Sequence, residues 1–449
     1  MQNKNNIKIK KNKKILLIQP TPYDQYGNLV KKSRLYFVGL AMPLLAALTP
    51  KGYEVEICYE TIEDVPFDTD ADLIGISSMG HAVMRTIDIA NKFRKLGKTV
   101  VLGGYMVSLM PEEAKKYADC VMIGDAEETW AQMIEDYSKG KLKKVYQKKL
   151  KELKTPLPKY ELILNKKIGN FLPVQAGRGC PKTCSFCSVH CLYKGQYLKR
   201  EIKDVIRDIK KVKSLGFKQF LLLDDNIFSN RDYAIKLCSE IKKLKMRWMT
   251  QCSIDIAKDE ELLDIIAQSG CYVLSFGLES ISKESLKSMD KGWANPDKYI
   301  EYMDIIRKHG IDISTEMVVG ADGDTLESIK ATADFVSNSH IVVPRFYILT
   351  PIPGTKYFSD MQEQDRIYNH DIYSYNSCEA VHIPKNMTPE ELTKAYWDLY
   401  NEVYKIKNIV KRTLLTKNFF KRPFLVLFYF GVNLFYRYQI KKGIVPNII

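Results

Sequence analysis

The sequence predicts an α/β chain carrying two successive sheets: a doubly wound domain first, then a partial (β/α)6 barrel, then a helical C-terminal region. Three observations predict it. Short apolar runs recur between residues 13 and 145, most of them separated by amphipathic helical patterns. Six further apolar runs follow between residues 172 and 351, again with helical patterns between them. Beyond residue 356 the strand signals stop and helical periodicity takes over. The resulting domains are 13–145, 165–355 and 356–449. A chain of 449 residues, 45% of them hydrophobic and 27% charged, has material for two or three cores of ordinary size.

In the first domain, residues 14–20 read as a buried strand stopped by Pro20, and the same apolar logic recurs at 53–59, 72–78, 99–104 and 119–125. Residues 40–48 and 84–96 carry apolar side chains at three- and four-residue steps, as helices packed on one face do. Ligands of such sheets sit beyond the carboxyl ends of the strands. Those ends carry Thr21, Ser77 and Ser78, Gly103 and Gly104, and Gly124. A rim this small leaves room for a large flat ligand, although a Gly-Gly pair after a strand also serves as a tight turn.

The second domain reads as strands at 172–176, 219–225, 248–253, 272–277, 313–320 and 345–351, and barrels of this kind place their chemistry at the carboxyl ends. The first strand delivers Arg178, Gly179 and three cysteines, Cys180, Cys184 and Cys187. Their C-x3-C-x2-C order leaves a four-iron cluster one thiolate short, and so one iron open to a small molecule. Half of a zinc site, with His190 and Cys191 near enough to complete it, and buried apolar thiols are the alternatives. The second strand ends at Asp224, Asp225 and Asn226, the third near Gln251 and Ser253, the fourth at Gly277 and Glu279, and the fifth at Gly320 and Gly323.

The cysteine spacing, with Phe186 between the second and third thiols, resembles the signature of the radical S-adenosylmethionine (SAM) enzymes. Residues 76–81 (ISSMGH), 102–114 (LGGYMVSLMPEEA) and 121–130 (VMIGDAEETW) resemble the cobalamin-binding domain attached to one large branch of that family. The resemblance implies a Rossmann-like cobalamin-binding domain before a radical SAM barrel. It implies a [4Fe–4S] cluster on Cys180, Cys184 and Cys187, and SAM beside Phe186, Asp225, Ser253, Glu279 and Gly320. It also implies cobalamin beside Thr21, Ser77, Ser78, Gly103, Gly104 and Gly124. Read by themselves, Asp224 to Asn226 also suit a helix-capping cluster, and Glu279 an acid in a first helical turn. The D-x-H-x-x-G motif that supplies a lower cobalt ligand in many cobalamin proteins is absent, since residues 24–28 read DQYGN. No catalytic side chain is assigned.

Ten cysteines and an N-terminus without an apolar core segment point to a reducing, cytoplasmic setting. The net charge of +15 reflects lysine richness, and no nucleic-acid partner is expected. Charge clusters at Lys8, Lys10, Lys11, Lys13 and Lys14, and again in a dispersed set from Lys405 to Lys442. In the third domain, residues 388–412 read as one helix opened by Thr388, Pro389 and Glu391. Residues 423–436 are almost wholly apolar over 14 positions, short of the ~20 needed to cross a bilayer. Lys417, Lys421, Arg422, Arg437, Lys441 and Lys442 flank that run and suit an anionic lipid surface, so residues 417–442 are expected to touch the inner face of a membrane; a helix covering the barrel is the alternative.

The expected activity is modification, foremost methylation, of an unactivated carbon in a small-molecule, lipid or other membrane-associated substrate, with an electron donor such as flavodoxin or ferredoxin. Ring closure, oxidation or carbon–carbon coupling is the nearest alternative, and a corrinoid or iron–sulfur sensor the non-catalytic one. Methylthiotransferases need a second cluster, for which Cys58 and Cys120 are too few.

Overall fold

The computed structural model describes residues 13–446 except 25, 78–79, 372–373 and 416–421, with His81 described by its backbone only. Ser78, Lys8, Lys10, Lys11, Lys417 and Lys421 therefore lie outside the described residues.

The first sheet has six parallel strands: β1 (Lys14–Gln19), β2 (Glu54–Tyr59), β3 (Leu73–Ser77), β4 (Thr99–Gly103), β5 (Cys120–Ile123) and β6 (Val145–Gln147), in the order β2-β1-β3-β4-β5-β6. Ile15, Leu16, Leu17 and Ile18 are all fully buried, because a central parallel strand is covered on both faces and its sequence reads as a continuous apolar run. Helices α1 (Ala41–Leu48) and α2 (Val83–Lys95) occupy the periodic segments; α2 buries Val83, Thr86, Ile87, Ala90 and Phe93 along one stripe. The sixth strand is a correction to the five expected. It lies in a lysine-rich run with little pattern of its own, and exists because Val145, Tyr146 and Gln147 pair in register with Val121, Met122 and Ile123.

The second sheet takes β7 (Leu172–Gln175), β10 (Gln219–Leu223), β11 (Arg247–Cys252), β12 (Cys271–Glu279), β13 (Asp312–Val319) and β14 (Val343–Ile348), all parallel and in chain order, as a partial barrel. A two-residue hairpin, β8 (Gly177–Arg178) with β9 (Leu198–Lys199), pinches the base of the loop that carries the three cysteines.

The third region is helical, with a break that the sequence pattern did not show. In place of one helix over 388–412 there are α3 (Pro389–Val403) and α4 (Ile406–Thr413), separated where Lys405 turns extended at ψ 141°. Edge-strand packing accounts for the turn. The Tyr400 hydroxyl accepts from Phe346 N and donates to Phe346 O, both at 3.0 Å, and the Tyr404 hydroxyl donates to Pro344 O at 2.7 Å. These tyrosines satisfy the outer edge of β14, which would otherwise expose unpaired backbone groups. At the start of α3, Thr388 Oγ1 accepts from Glu391 N and Glu391 Oε2 accepts from Thr388 N. Thr388→Ala is expected to cost about 1 kcal/mol, read as a lower urea midpoint at unchanged m-value.

The last helix, α5 (Pro423–Lys441), packs Val426, Tyr429, Asn433, Tyr436 and Ile440 against the barrel. Tyr429 donates to Asp312 at 3.0 Å, and Asn433 Nδ2 donates to Val342 O at 2.8 Å, so α5 sits at the amino-terminal ends of β13 and β14. Its other face leaves Phe424 88% and Phe428 59% exposed. Among the described residues no helix is long and apolar enough to cross a membrane. One face of α5 therefore covers the barrel, as the alternative reading of this segment expected, and the other carries exposed aromatic side chains.

Candidate active site

The cysteine loop is held by backbone bonds from three directions. Gly179, at φ +88°, donates its N–H to Asp225 Oδ2 at 2.6 Å, and a Cβ there would collide with Gln196 O. Ser185 N donates to Met289 O at 3.1 Å, and Tyr357 N donates to Ser185 O at 2.9 Å. Phe186 packs with Leu286, Met289, Ala321 and Tyr357 in a separate apolar cluster, so it anchors the loop to the barrel wall. Asn226 Nδ2 lies 3.7 Å from Cys180 Sγ and 3.0 Å from Ser253 Oγ, while Ser253 N donates to Asn226 Oδ1 at 3.3 Å. Asn226 thereby links a cysteine to the third strand end.

The donor set fits a cluster better than a zinc ion. The Cys184 thiol is buried, and burial pushes the Cys184 and Cys187 thiols up, Cys187 to about 11. Buried thiols of this kind ionise only opposite a compensating positive centre. Among the described residues no three His, Cys, Asp or Glu side chains are placed to hold a single metal ion, and the Cys191 thiol is spent on Gly354 O at 2.7 Å. A cluster, in which each thiolate takes its own iron, suits the three cysteines instead.

Glu279 is the last residue of β12, with φ +63°, and is not in a helical turn. It pairs with Lys291, whose Nζ donates to Glu279 Oε1 at 2.8 Å and to Gly277 O at 2.7 Å. Both side chains are nearly buried, and Lys291 is coupled electrostatically to the thiols of Cys184 and Cys187. A cation and a carboxylate side by side are complementary to the carboxylate and ammonium of an α-amino acid group such as the one SAM carries. Sequence reasoning missed Lys291, because an isolated lysine twelve positions beyond a glutamate carries no motif.

Asp225 is engaged by Gly179, as above. Its neighbour Asp224 accepts from Tyr197 at 2.8 Å and from Asn226 N at 2.9 Å, and burial pushes its carboxyl up to about 7. An acid that holds its proton more tightly when folded than when unfolded costs stability as pH rises from the unfolded pKa toward the folded one, by at most ~1.36 kcal/mol for each pH unit between them. Asp224→Asn is therefore expected to gain stability over the parent between about pH 4 and pH 7, with a constant gain above, measured by urea unfolding of the apoprotein at pH 5 and pH 8.

On its Cβ side Gly320 is closed by protein. Its φ is +97°, and a Cβ there would meet Leu392 of α3 at 2.5 Å, and one at Gly323 would meet Ser285 N at 2.5 Å. The room these glycines make is filled by protein. Thr21 is likewise engaged internally, buried with its hydroxyl donating to Val30 O at 2.6 Å. Ser77, Gly103, Gly104 and Gly124 do come together, on the wall of a cavity of about 2080 Å³ that also borders Arg178, Asp224 and Asp225. Gly124 has nothing within 4 Å of a notional Cβ, and a Cβ on Gly103 would meet only Met122, so the strand ends form an open cradle on the cavity wall. Arg178 fastens the two domains beside it, Nη1 to Asp125 at 2.5 Å and Nη2 to Glu127 at 2.6 Å.

Comparison with known proteins decides what this pairing is. Residues 174–336 match the Radical SAM superfamily and residues 32–134 the B12 binding domain. The chain is 31% identical over 414 residues to bacteriochlorophyllide d C-12(1)-methyltransferase of Chlorobaculum tepidum, covering 90% of each chain. It belongs to the cobalamin-dependent radical SAM methyltransferase family. A second relative from the same organism, bacteriochlorophyllide d C-8(2)-methyltransferase, is 31% identical over 394 residues, 84% of this chain and 87% of that one. In fold the enzyme resembles the radical SAM methyltransferase TsrM from Kitasatospora setae, with TM-score 0.61 and 19% identity over 79% of this chain and 75% of that chain. Its cofactors are a [4Fe–4S] cluster, SAM and cobalamin, and the cysteine loop and glycine cradle are the parts of the enzyme that fit the first and the last.

Proposed function

We propose that the enzyme methylates an unactivated carbon of a lipid or other membrane-associated substrate, working at the inner face of a membrane with an electron donor such as flavodoxin or ferredoxin. The observation that carries this reading is the second face of α5. Phe424, Phe428, Phe435 and Tyr438 are exposed, yet they line the same cavity that borders the cysteine loop's supports and the glycine cradle. An exposed aromatic wall continuous with the reaction chamber is suited to an apolar substrate that arrives from an interface. When bound, the three cofactors supply one-electron cleavage of SAM and a transferable methyl group. The protein's own part is to orient and to exclude water: the Arg178 latch keeps the cradle facing the barrel mouth, and Asn226 and the Glu279–Lys291 pair fix polar positions around the cysteine loop.

The test supplies anaerobically reconstituted enzyme with cobalamin, reductant, SAM bearing a deuterated methyl group, and a polar-plus-lipid extract. A deuterated methyl in a lipid component, with S-adenosylhomocysteine and 5′-deoxyadenosine forming together, is the expected result. 5′-Deoxyadenosine alone would replace methylation by ring closure, oxidation or coupling, and a labelled polar metabolite would remove the membrane.

A further inference from the structure

Closed (β/α) barrels fill their interior with layers of bulky branched side chains. This barrel does not. Gln251, Ser275 and Ser314 occupy one level in register across β11, β12 and β13, and Gly277, Glu316 and Arg345 the next across β12, β13 and β14. Glu316 and Arg345 close on each other as an ion pair, so that level carries no net charge. Toward the amino-terminal pole the wall turns apolar with Leu221, Met249 and Val273. The cavity follows this hollow interior the whole way, from Asp224 and Asp225 at the carboxyl ends of the strands to Gln219, Arg247 and Tyr272 at their amino-terminal ends.

At that far pole lies a smaller cleft of about 470 Å³ that shares Arg247, Tyr272, Phe424 and Leu425 with the main cavity and adds Arg422. Arg247 is exposed, with its guanidinium 4.1 Å above the Tyr272 ring, and no carboxylate pairs with it among the described residues. Arg422 is partly neutralised by Asp312 at 3.2 Å. In sequence the C-terminal region is one-sided in charge: after Glu402 it contains no further Asp or Glu, while Lys405, Lys407, Lys411, Lys441 and Lys442 follow. Cationic groups beside an exposed aromatic face are complementary to an anionic bilayer surface.

We propose that the barrel is open at its amino-terminal pole and that this opening admits a long-chain amphiphile with an anionic head, drawn from an anionic bilayer. The head rests between Arg247 and Arg422, and the apolar body enters along Leu221, Met249 and Val273 toward the strand ends where the cofactors bind. The proposal rests on the membrane reading above and adds the route and the head-group chemistry. It sets the reacting carbon far from the head, since strands of six to nine residues span roughly 20–30 Å.

Photolabelling tests it on the full chain, reconstituted with its cluster and cobalamin. The probe is phosphatidylglycerol carrying a diazirine at the end of one acyl chain, in phosphatidylglycerol/phosphatidylcholine vesicles, with the phosphatidylcholine analogue as control. Label is expected on the inner face of β11 to β13, at least ten-fold weaker in Ser275→Trp, which fills the passage, with vesicle flotation unchanged. Arg247→Glu, an exposed change that leaves the core alone, is expected to lower labelling by the anionic probe and not by the phosphatidylcholine analogue. Label confined to Phe424–Tyr438, undiminished by Ser275→Trp, would overturn the passage and leave α5 as an anchor. Absence of flotation would overturn the membrane reading itself.

Discussion

Cys184→Ala is expected to abolish SAM cleavage while leaving cobalamin binding intact. Cys184 is the most buried of the three cysteines, and its loop offers no replacement: the neighbouring Cys191 thiol is committed to Gly354 O, and His190 lies beyond the loop in a short helix. With two thiolates left, the cluster loses the support that keeps one iron open and the others bound. The glycine cradle belongs to the other sheet, one face of which packs a core of Leu16, Ile18, Ile74, Val100 and Leu102 that contains nothing from the barrel. The measurement is 5′-deoxyadenosine by mass spectrometry alongside iron content and the visible spectrum of retained cobalamin. Loss of both iron and cobalamin would mean that the two domains hold their cofactors only as a single folded unit.

The second large effect is expected at Lys291. Lys291→Met leaves the Glu279 carboxylate buried without its cation and Gly277 O without its donor, and removing one member of a buried pair typically costs about 3–5 kcal/mol. Desolvation opposes the charged lysine, and Glu279 is the first of the partners that hold the proton on it, so Lys291 keeps its charge through neutral pH. Replacing both members, as Lys291→Met with Glu279→Leu, is expected to recover much of that stability, because an apolar pair of similar volume carries no stranded charge. SAM binding should not return in the double variant, which separates the stabilising role of the pair from its complementarity to a bound amino acid group. Urea unfolding and isothermal titration with SAM read the two quantities independently.

What could be read without coordinates divides along physical lines. Strands were legible where burial on two faces makes an unbroken apolar run, as in residues 15–18; β6 was not, because three residues held by register alone leave no pattern. Cys180, Cys184 and Cys187 were legible because cluster chemistry demands thiols at short spacing, and the capping box at Thr388 because its partners are three residues apart. Lys291, Asn226 and the Arg178 latch to Asp125 and Glu127 were not, since each acts on residues brought near only by the folded barrel or by the contact of two domains. Gly320 shows the converse: the glycine was visible, but only the packing of Leu392 against it revealed that the space on its Cβ side is taken by α3.

By itself, then, the sequence determined the two parallel architectures, the cluster cysteines and the amphiphilic character of the last helix, because each is written in local spacing or periodicity. Tertiary structure alone decided which strand-end residues share a cavity and where the chain of residues 388–412 breaks. It also decided that α5 turns one face to the barrel and the other outward, since those depend on contacts between segments more than a hundred residues apart, such as Tyr429 with Asp312.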